Sequence, residues 1–187
     1  LMGIVDHGLV SLRAVFLRSY TSLYAGFGKG PLGNSITCFF PQGDYVWIGT
    51  ADGGLNRMRP SDNTFVSYPS TKDMFIFSIT DFAPGKLLIS VVNQGMFVFD
   101  TATGQTTPFL LRNVQLNTYT FHYGNGVYLW RNTPESLLIL GRHVHIYHQS
   151  TGTFSQATEE KEGMIGIGTL KMIGTDKTVS YLCDRRH

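Results

Sequence analysis

Charge is scarce in this chain. Asp, Glu, Lys and Arg make up 15% of its 187 residues, where an average soluble domain carries roughly 25%. The formal net charge is only +2. Its densest basic spot is the pair Arg185 and Arg186, far short of the Lys/Arg cluster that phosphate binding requires. Nucleic acid is therefore not expected as a partner of this segment. Cysteine is scarce too. Cys38 and Cys183 show no Cys-x-x-Cys spacing, so neither a zinc site nor a redox pair is indicated. Both lie in apolar runs, where a thiol packs as a small hydrophobe, and a disulfide between them is not expected.

Long apolar runs are missing. No segment reaches the roughly 18 residues that a membrane-spanning helix needs, so no membrane insertion by this segment is expected. The opening Leu1–His7 lacks the basic and apolar regions of a signal peptide. Both ends read as cuts inside a longer protein. Long amphipathic helices are missing as well. Glu159–Glu162 is too short and polar for one and reads as a loop between repeats.

What the chain does have is aromatic residues, 13% of the total, and 21 glycines. That mixture suits short β-strands joined by tight turns and does not suit disorder. A pattern recurs: apolar strand, turn, apolar strand, Gly or polar turn, third strand, turn, aromatic. Its clearest copy runs Ile36–Phe40, Gln42–Asp44, Tyr45–Thr50, Asp52–Gly54, Leu55–Met58, Pro60–Asn63, Thr64–Tyr68. A second copy runs Phe77–Phe82, Pro84–Gly85, Lys86–Val91, Asn93–Gly95, Met96–Asp100 and a turn at Thr101–Gly104. The third runs Val127–Trp130, Thr133–Glu135, Ser136–Leu140, Gly141–Arg142, His143–Tyr147, Gln149–Gly152, Thr153–Ser155. A fourth, poorer copy includes Met164–Ile167, Lys171–Thr175 and Thr178–Leu182. A partial copy, Leu12–Leu17 followed by Leu23–Phe27, opens the chain and reads as lacking outer strands.

The second strands align at Trp47, Leu88 and Leu138. A period of roughly 40–50 residues with about four strands is that of a propeller blade. Leu87–Ile89 and Leu137–Leu140 are apolar without alternation, as strands buried on both faces are. The expected fold is all-β: about four β-propeller repeats of three to four antiparallel strands in one segment, 1–187, a partial propeller or a fragment of a larger one. The blade boundaries are 9–33 (partial), 34–70, 74–111, 118–157 and 162–187 (partial). An arc of so few blades exposes sheet edges and an apolar blade face. It would be completed by the remaining blades of a longer chain or by a second copy in a homodimer.

The first copy carries a more specific signal. Asn34-Ser35-Ile36, Trp47-Ile48-Gly49-Thr50 and Gly53-Gly54-Leu55 resemble the two-component regulator propeller repeat, whose blades read as N-S-V, apolar, turn, W-I-G-T, G-G-L, aromatic. The second copy keeps Gly95, Met96 and Phe97 but has Leu88-Ile89-Ser90 in place of W-I-G; the third and fourth keep the rhythm more than the letters. That repeat is characteristic of the periplasmic sensor regions of hybrid two-component histidine kinases in Bacteroides-type bacteria. The resemblance implies a periplasmic, non-catalytic, oligosaccharide-sensing role. It also implies a parent chain with further blades, an immunoglobulin-like domain, a membrane helix, a kinase core and a DNA-binding regulator.

Candidate sites are weighed against local explanations. Trp47 lies mid-strand and is expected to pack between blades rather than stack on sugar. His143, His145 and His148 suggest metal ligands, but no carboxylate or Cys lies nearby in sequence to complete a site, so neither metal nor cofactor is expected. Asp44, Asp52, Asp100 and Asp176 raise the paired acids of a glycosidase, but turn chemistry accounts for them locally. Gly26–Gly30 is Gly-rich, but no helix follows to hold a phosphate. In a propeller, the loops between second and third strands share a rim with the loops joining blades. Those loops carry Asp52, Asn93, Gln94 and Arg142, a donor and acceptor mixture suited to sugar hydroxyls. The rival is a propeller lyase or glycosidase, which would need His122, Tyr123, Arg131 and His143 to converge. A protein-interaction scaffold is the third reading.

Overall fold

A computed structural model describes residues 2–4, 8–13, 16–109, 126–140, 144–156, 170–175 and 180–184. The strands are β1 (Met2–Ile4), β2 (Gly8–Arg13), β3 (Phe16–Tyr20), β4 (Ile36–Gln42), β5 (Tyr45–Thr50), β6 (Leu55–Arg59) and β7 (Thr64–Ser67). They continue as β8 (Ile76–Ala83), β9 (Lys86–Val91), β10 (Gly95–Asp100), β11 (Thr106–Pro108), β12 (Tyr128–Thr133), β13 (Ser136–Leu140), β14 (Val144–His148), β15 (Thr153–Gln156), β16 (Leu170–Thr175) and β17 (Ser180–Asp184). Each of β4–β7, β8–β11 and β12–β15 forms a four-stranded antiparallel sheet with neighbours in chain order. β1–β3 form a three-stranded sheet and β16–β17 a hairpin. The three complete sheets are propeller blades, joined by short hairpins within each blade and by longer connectors between blades.

The packing follows from period-2 side-chain alternation. In β9, Leu87, Ile89 and Val91 join a core with Trp47, Leu55, Ile76 and Phe99. Leu88, between them, joins a second core with Val127, Leu129, Leu137 and Ile139. β13 repeats this: Leu137 and Ile139 face β8–β11, while Leu138 and Leu140 form a further cluster on the other side. In β5, Trp47 faces one way and Ile48 joins Tyr20, Met58 and Phe65 on the other. The second strand of each blade is thus buried on both faces, and each large side chain so buried stabilises the fold by roughly 1.5–3 kcal/mol.

The opening sheet departs from expectation. β1 lies against β4 as β5 lies against β8 and β9 against β12. β1 therefore takes the place of a second strand, and β3 the outermost place, as β7 does in the next blade. The sequence supports the match: Arg18-Ser19-Tyr20 before a turn parallels Val66-Ser67-Tyr68. The outer strands are present. Leu23–Phe27, read as part of the strand pattern, is instead a 3-10 helix over Ser22–Phe27. It ends on Gly28 in the left-handed region at φ 64°, and its first N–H donates to the Asn34 side chain at 2.8 Å. The connector then runs along the outer edge of β7, where Phe65 N–H donates to Gly28 C=O at 2.8 Å. That contact covers part of an otherwise open sheet edge.

Candidate functional site

The turns between second and third strands present the rim residues. Asp52 is exposed in the turn between β5 and β6. Its carboxylate accepts the backbone N–H groups of Asn34 and Ser35, both at 3.1 Å. It therefore ties this turn to the start of β4. Asn93 and Gln94 are exposed in the turn between β9 and β10, Asn93 at φ 62°. That conformation is one Asn tolerates better than most residues. The fourth rim residue, Arg142, lies outside the described residues, as do His122, Tyr123, His143, Asp176 and Glu159–Glu162.

The letters of the first copy have local physical reasons. Thr50 Oγ1 donates to Gly54 C=O and accepts from Gly53 N–H, each at 2.9 Å, closing the turn. Gly54 sits at φ 69°, and a Cβ there would fall 2.0 Å from the Thr71 carbonyl oxygen. Only glycine allows this crossing of turn and connector. Thr71 Oγ1 accepts from Leu55 N–H at 2.9 Å, and buried Asn56 accepts from Leu32 N–H at 2.8 Å and Ser67 Oγ at 2.6 Å. A Cβ on Gly49 would lie 2.6 Å from Cys38 Sγ and 2.8 Å from Ile76 Cγ2. This small residue lets the next blade close in. The same crowding desolvates Cys38 and pushes its thiol up to about 12.

Trp47 is 2% exposed, stacked 5.6 Å from Tyr68 and edge-on 5.7 Å from Phe99. It packs between blades as expected. Asp44 lies exposed in the β4–β5 turn, and Asp100 accepts the N–H groups of Ala102 and Thr103 at 3.0 and 2.9 Å, holding the turn after β10. His145 is buried, and among the described residues no group of three or more His, Cys, Asp or Glu is placed to hold a metal.

Inner strands β4, β8 and β12 line a cavity of about 420 Å³, with Phe40, Phe77, Tyr128 and Trp130 on its walls. Polar groups along it are engaged. Thr37 Oγ1 donates to the Ile76 carbonyl, and Ser78 Oγ donates to the Val127 carbonyl at 2.7 Å. Arg131, the one described residue of the enzymatic reading, is a clamp between blades. Its Nη1 donates to Gln149 Oε1 at 2.8 Å, its Nη2 to the carbonyls of Asp81 and Phe82 at 2.6 and 3.0 Å, and its Nε lies 3.3 Å from Asp81 Oδ2.

Sequence reasoning passed over Tyr45, Arg57 and Arg59. Arg57 and Trp47 face each other across β5 and β6 in register. Arg59 donates to Tyr45 Oη at 2.6 Å. Burial pushes the Tyr68 phenol up, while the Arg57 cation nearby pulls it down. Only the strand register brings these groups together.

No family model matches this chain, and no curated protein does. Solved structures do. The extracellular domain of BT4673 from B. thetaiotaomicron, described as a hybrid two-component system, aligns with a TM-score of 0.69 at 14% identity, over 96% of this chain and 26% of that one. The extracellular domain of BT3049, a protein of the same organism and description, aligns with a TM-score of 0.62 at 17% identity, over 82% of this chain and 22% of that one. PorZ, a surface component of the type-IX secretion system of Porphyromonas gingivalis, aligns with a TM-score of 0.52 at 12% identity, over 75% of this chain and 18% of that one. The chain shares the fold of these structures over the aligned residues and spans about a quarter or less of their length.

Proposed function

We propose that this segment is part of a non-catalytic, periplasmic ligand-sensing propeller of a hybrid two-component system, responding to oligosaccharides. The observation that carries the reading is the alignment of nearly the whole chain with the extracellular domain of BT4673, a two-component system protein. The rim supports it locally. Asp52, Asn93 and Gln94 stand exposed at one position of successive blades, and Arg142 belongs to the same position of the third. Such a row offers hydroxyl-rich ligands alternating donors and acceptors. In this reading, further blades of a longer parent chain complete the ring, and signalling domains beyond it carry the response.

The test is thermal melting against a panel of plant and host oligosaccharides, after the mass in solution has been measured. A ligand bound only by the folded state raises the midpoint by mass action. One glycan class is expected to do so, with the shift lost in an Asn93→Ala/Gln94→Ala double variant that melts normally without ligand. A shift that survives in the double variant removes these residues from the site. A flat panel removes the oligosaccharide reading for this segment. A dimeric mass would show that a second copy, rather than further blades, closes the arc.

A further inference from the structure

The opposite rim of the first blade holds a second arrangement. Tyr45 opens β5 just after the turn at Gly43–Asp44, and Arg59 closes β6 just before the turn at Pro60–Asn63. Alternation along the strands puts Tyr45, Trp47, Arg57 and Arg59 on one face. Arg57 Cζ lies 4.3 Å from the Tyr45 ring centroid and 5.5 Å from that of Trp47. Arg59 Cζ lies 5.1 Å from the Tyr45 centroid. One phenol thus organises two guanidinium groups, one over its ring and one on its hydroxyl.

Of the two cations, only Arg59 has an ion pair among the described residues. Arg59 meets Asp62 at 3.4 Å, and Asp62 is also occupied by Thr64, whose N–H and Oγ1 donate to it at 3.0 and 2.7 Å. Arg57 has no ion pair and no hydrogen bond among the described residues. Stacking holds a guanidinium through its flat faces and leaves the in-plane N–H fork unspent. A fixed, partly buried fork beside a second cation matches the two oxygens of a carboxylate or sulfate.

We infer that Arg57 and Arg59, organised by Tyr45, bind the carboxylate or sulfate group of an acidic saccharide. The oxyanion half of this assignment stands on the two arginines; the saccharide half rests on the sensing reading above. The site lies on the rim away from Asp52 and Asn93 and makes the sign of the ligand's charge a property of this blade.

The experiment titrates the protein, at constant ionic strength, with trigalacturonic acid, a sulfated galactose disaccharide, neutral galactotriose and sodium sulfate, read by calorimetry. At least one acidic saccharide is expected to bind and the neutral one not to bind at this site; which acidic probe binds tells carboxylate from sulfate. Arg57→Gln should weaken that binding by about tenfold or more, the effect of one charge-assisted fork. Asp62→Asn, which removes the competing carboxylate and keeps an acceptor for Thr64, should tighten it. Equal binding by wild type and Arg57→Gln, or no tightening in Asp62→Asn, overturns the assignment. Binding of neutral galactotriose alone overturns it while leaving the sensing reading intact. Arg57-dependent binding of sodium sulfate with no saccharide bound overturns the saccharide class.

Discussion

The two seams between complete blades bury equivalent strands by different means. Between β4–β7 and β8–β11 the seam is aromatic: Trp47 stacks on Tyr68, both rings meet Phe99, and Gly49 makes room for Ile76. Between β8–β11 and β12–β15, Phe82, Phe109, Tyr147 and Phe154 cluster. A polar lock is added there. Arg131 and Gln149 seize backbone carbonyls of the neighbouring blade, and Val127 N–H donates to Ser90 Oγ at 2.9 Å. The repeat therefore demands a second strand buried on both faces and some device to fix the neighbour. It does not demand tryptophan. This is why one copy carries the W-I-G-T letters and the others keep only the rhythm.

The sharpest way to break the comparison is to remove each device in turn. Trp47→Ala deletes the largest buried ring of the first seam and should cost about 3–5 kcal/mol, read as a lower midpoint in urea. Arg131→Met keeps the stem but leaves the carbonyls of Asp81 and Phe82 without this donor. It should cost about 1.5–3 kcal/mol, the range for hydrogen bonds to charged groups. If Arg131→Met proves the costlier change, the polar lock and not the aromatic stack is the principal fastener.

Much of the fold was legible because its signals are local. Leu87–Ile89 and Leu137–Leu140 announce burial on both faces by composition alone, and the turns at Gly43, Gly85 and Asp100 announce themselves by residue type. Leu23–Phe27 misled because a short apolar run reads equally as strand or helix. Its form was decided by Gly28 and by the side chain of Asn34, a partner twelve residues from Ser22. Arg131 was read as a candidate for a reactive channel because its partners Asp81 and Phe82 lie 50 and 49 residues away. The Tyr45, Arg57 and Arg59 cluster was invisible for the same reason: it exists only once β5 and β6 are in register. Asp52, picked out as a rim residue, is exposed there and also binds backbone N–H groups that sequence position did not reveal.

The smallest effect separates the blades by charge rather than by packing. Asp62 lies in the turn after β6, and Asp100 closes β10 and caps the turn that follows it in the next blade. Thr64, by its hydroxyl and then its N–H, holds Asp62 below the ordinary carboxylate value of 3.8. The N–H groups of Thr103 and Ala102 help hold Asp100 below the same value. A carboxylate whose folded value is depressed favours folding above its unfolded value, and that contribution disappears as the pH falls through the folded value. The midpoint of melting should therefore drop as the pH is lowered from about 5 toward about 2, and Asp62→Asn and Asp100→Asn should each flatten part of the drop. Salt distinguishes them, because exposed ion pairs are screened at moderate ionic strength. Asp62 also faces Arg59 at 3.4 Å, so its share should shrink in added sodium chloride, whereas that of Asp100, held mainly by backbone N–H groups, should persist. If the two variants respond to salt alike, Arg59 contributes nothing to folding through Asp62. The arginine cluster would then be uncoupled from the stability of the blade that carries it.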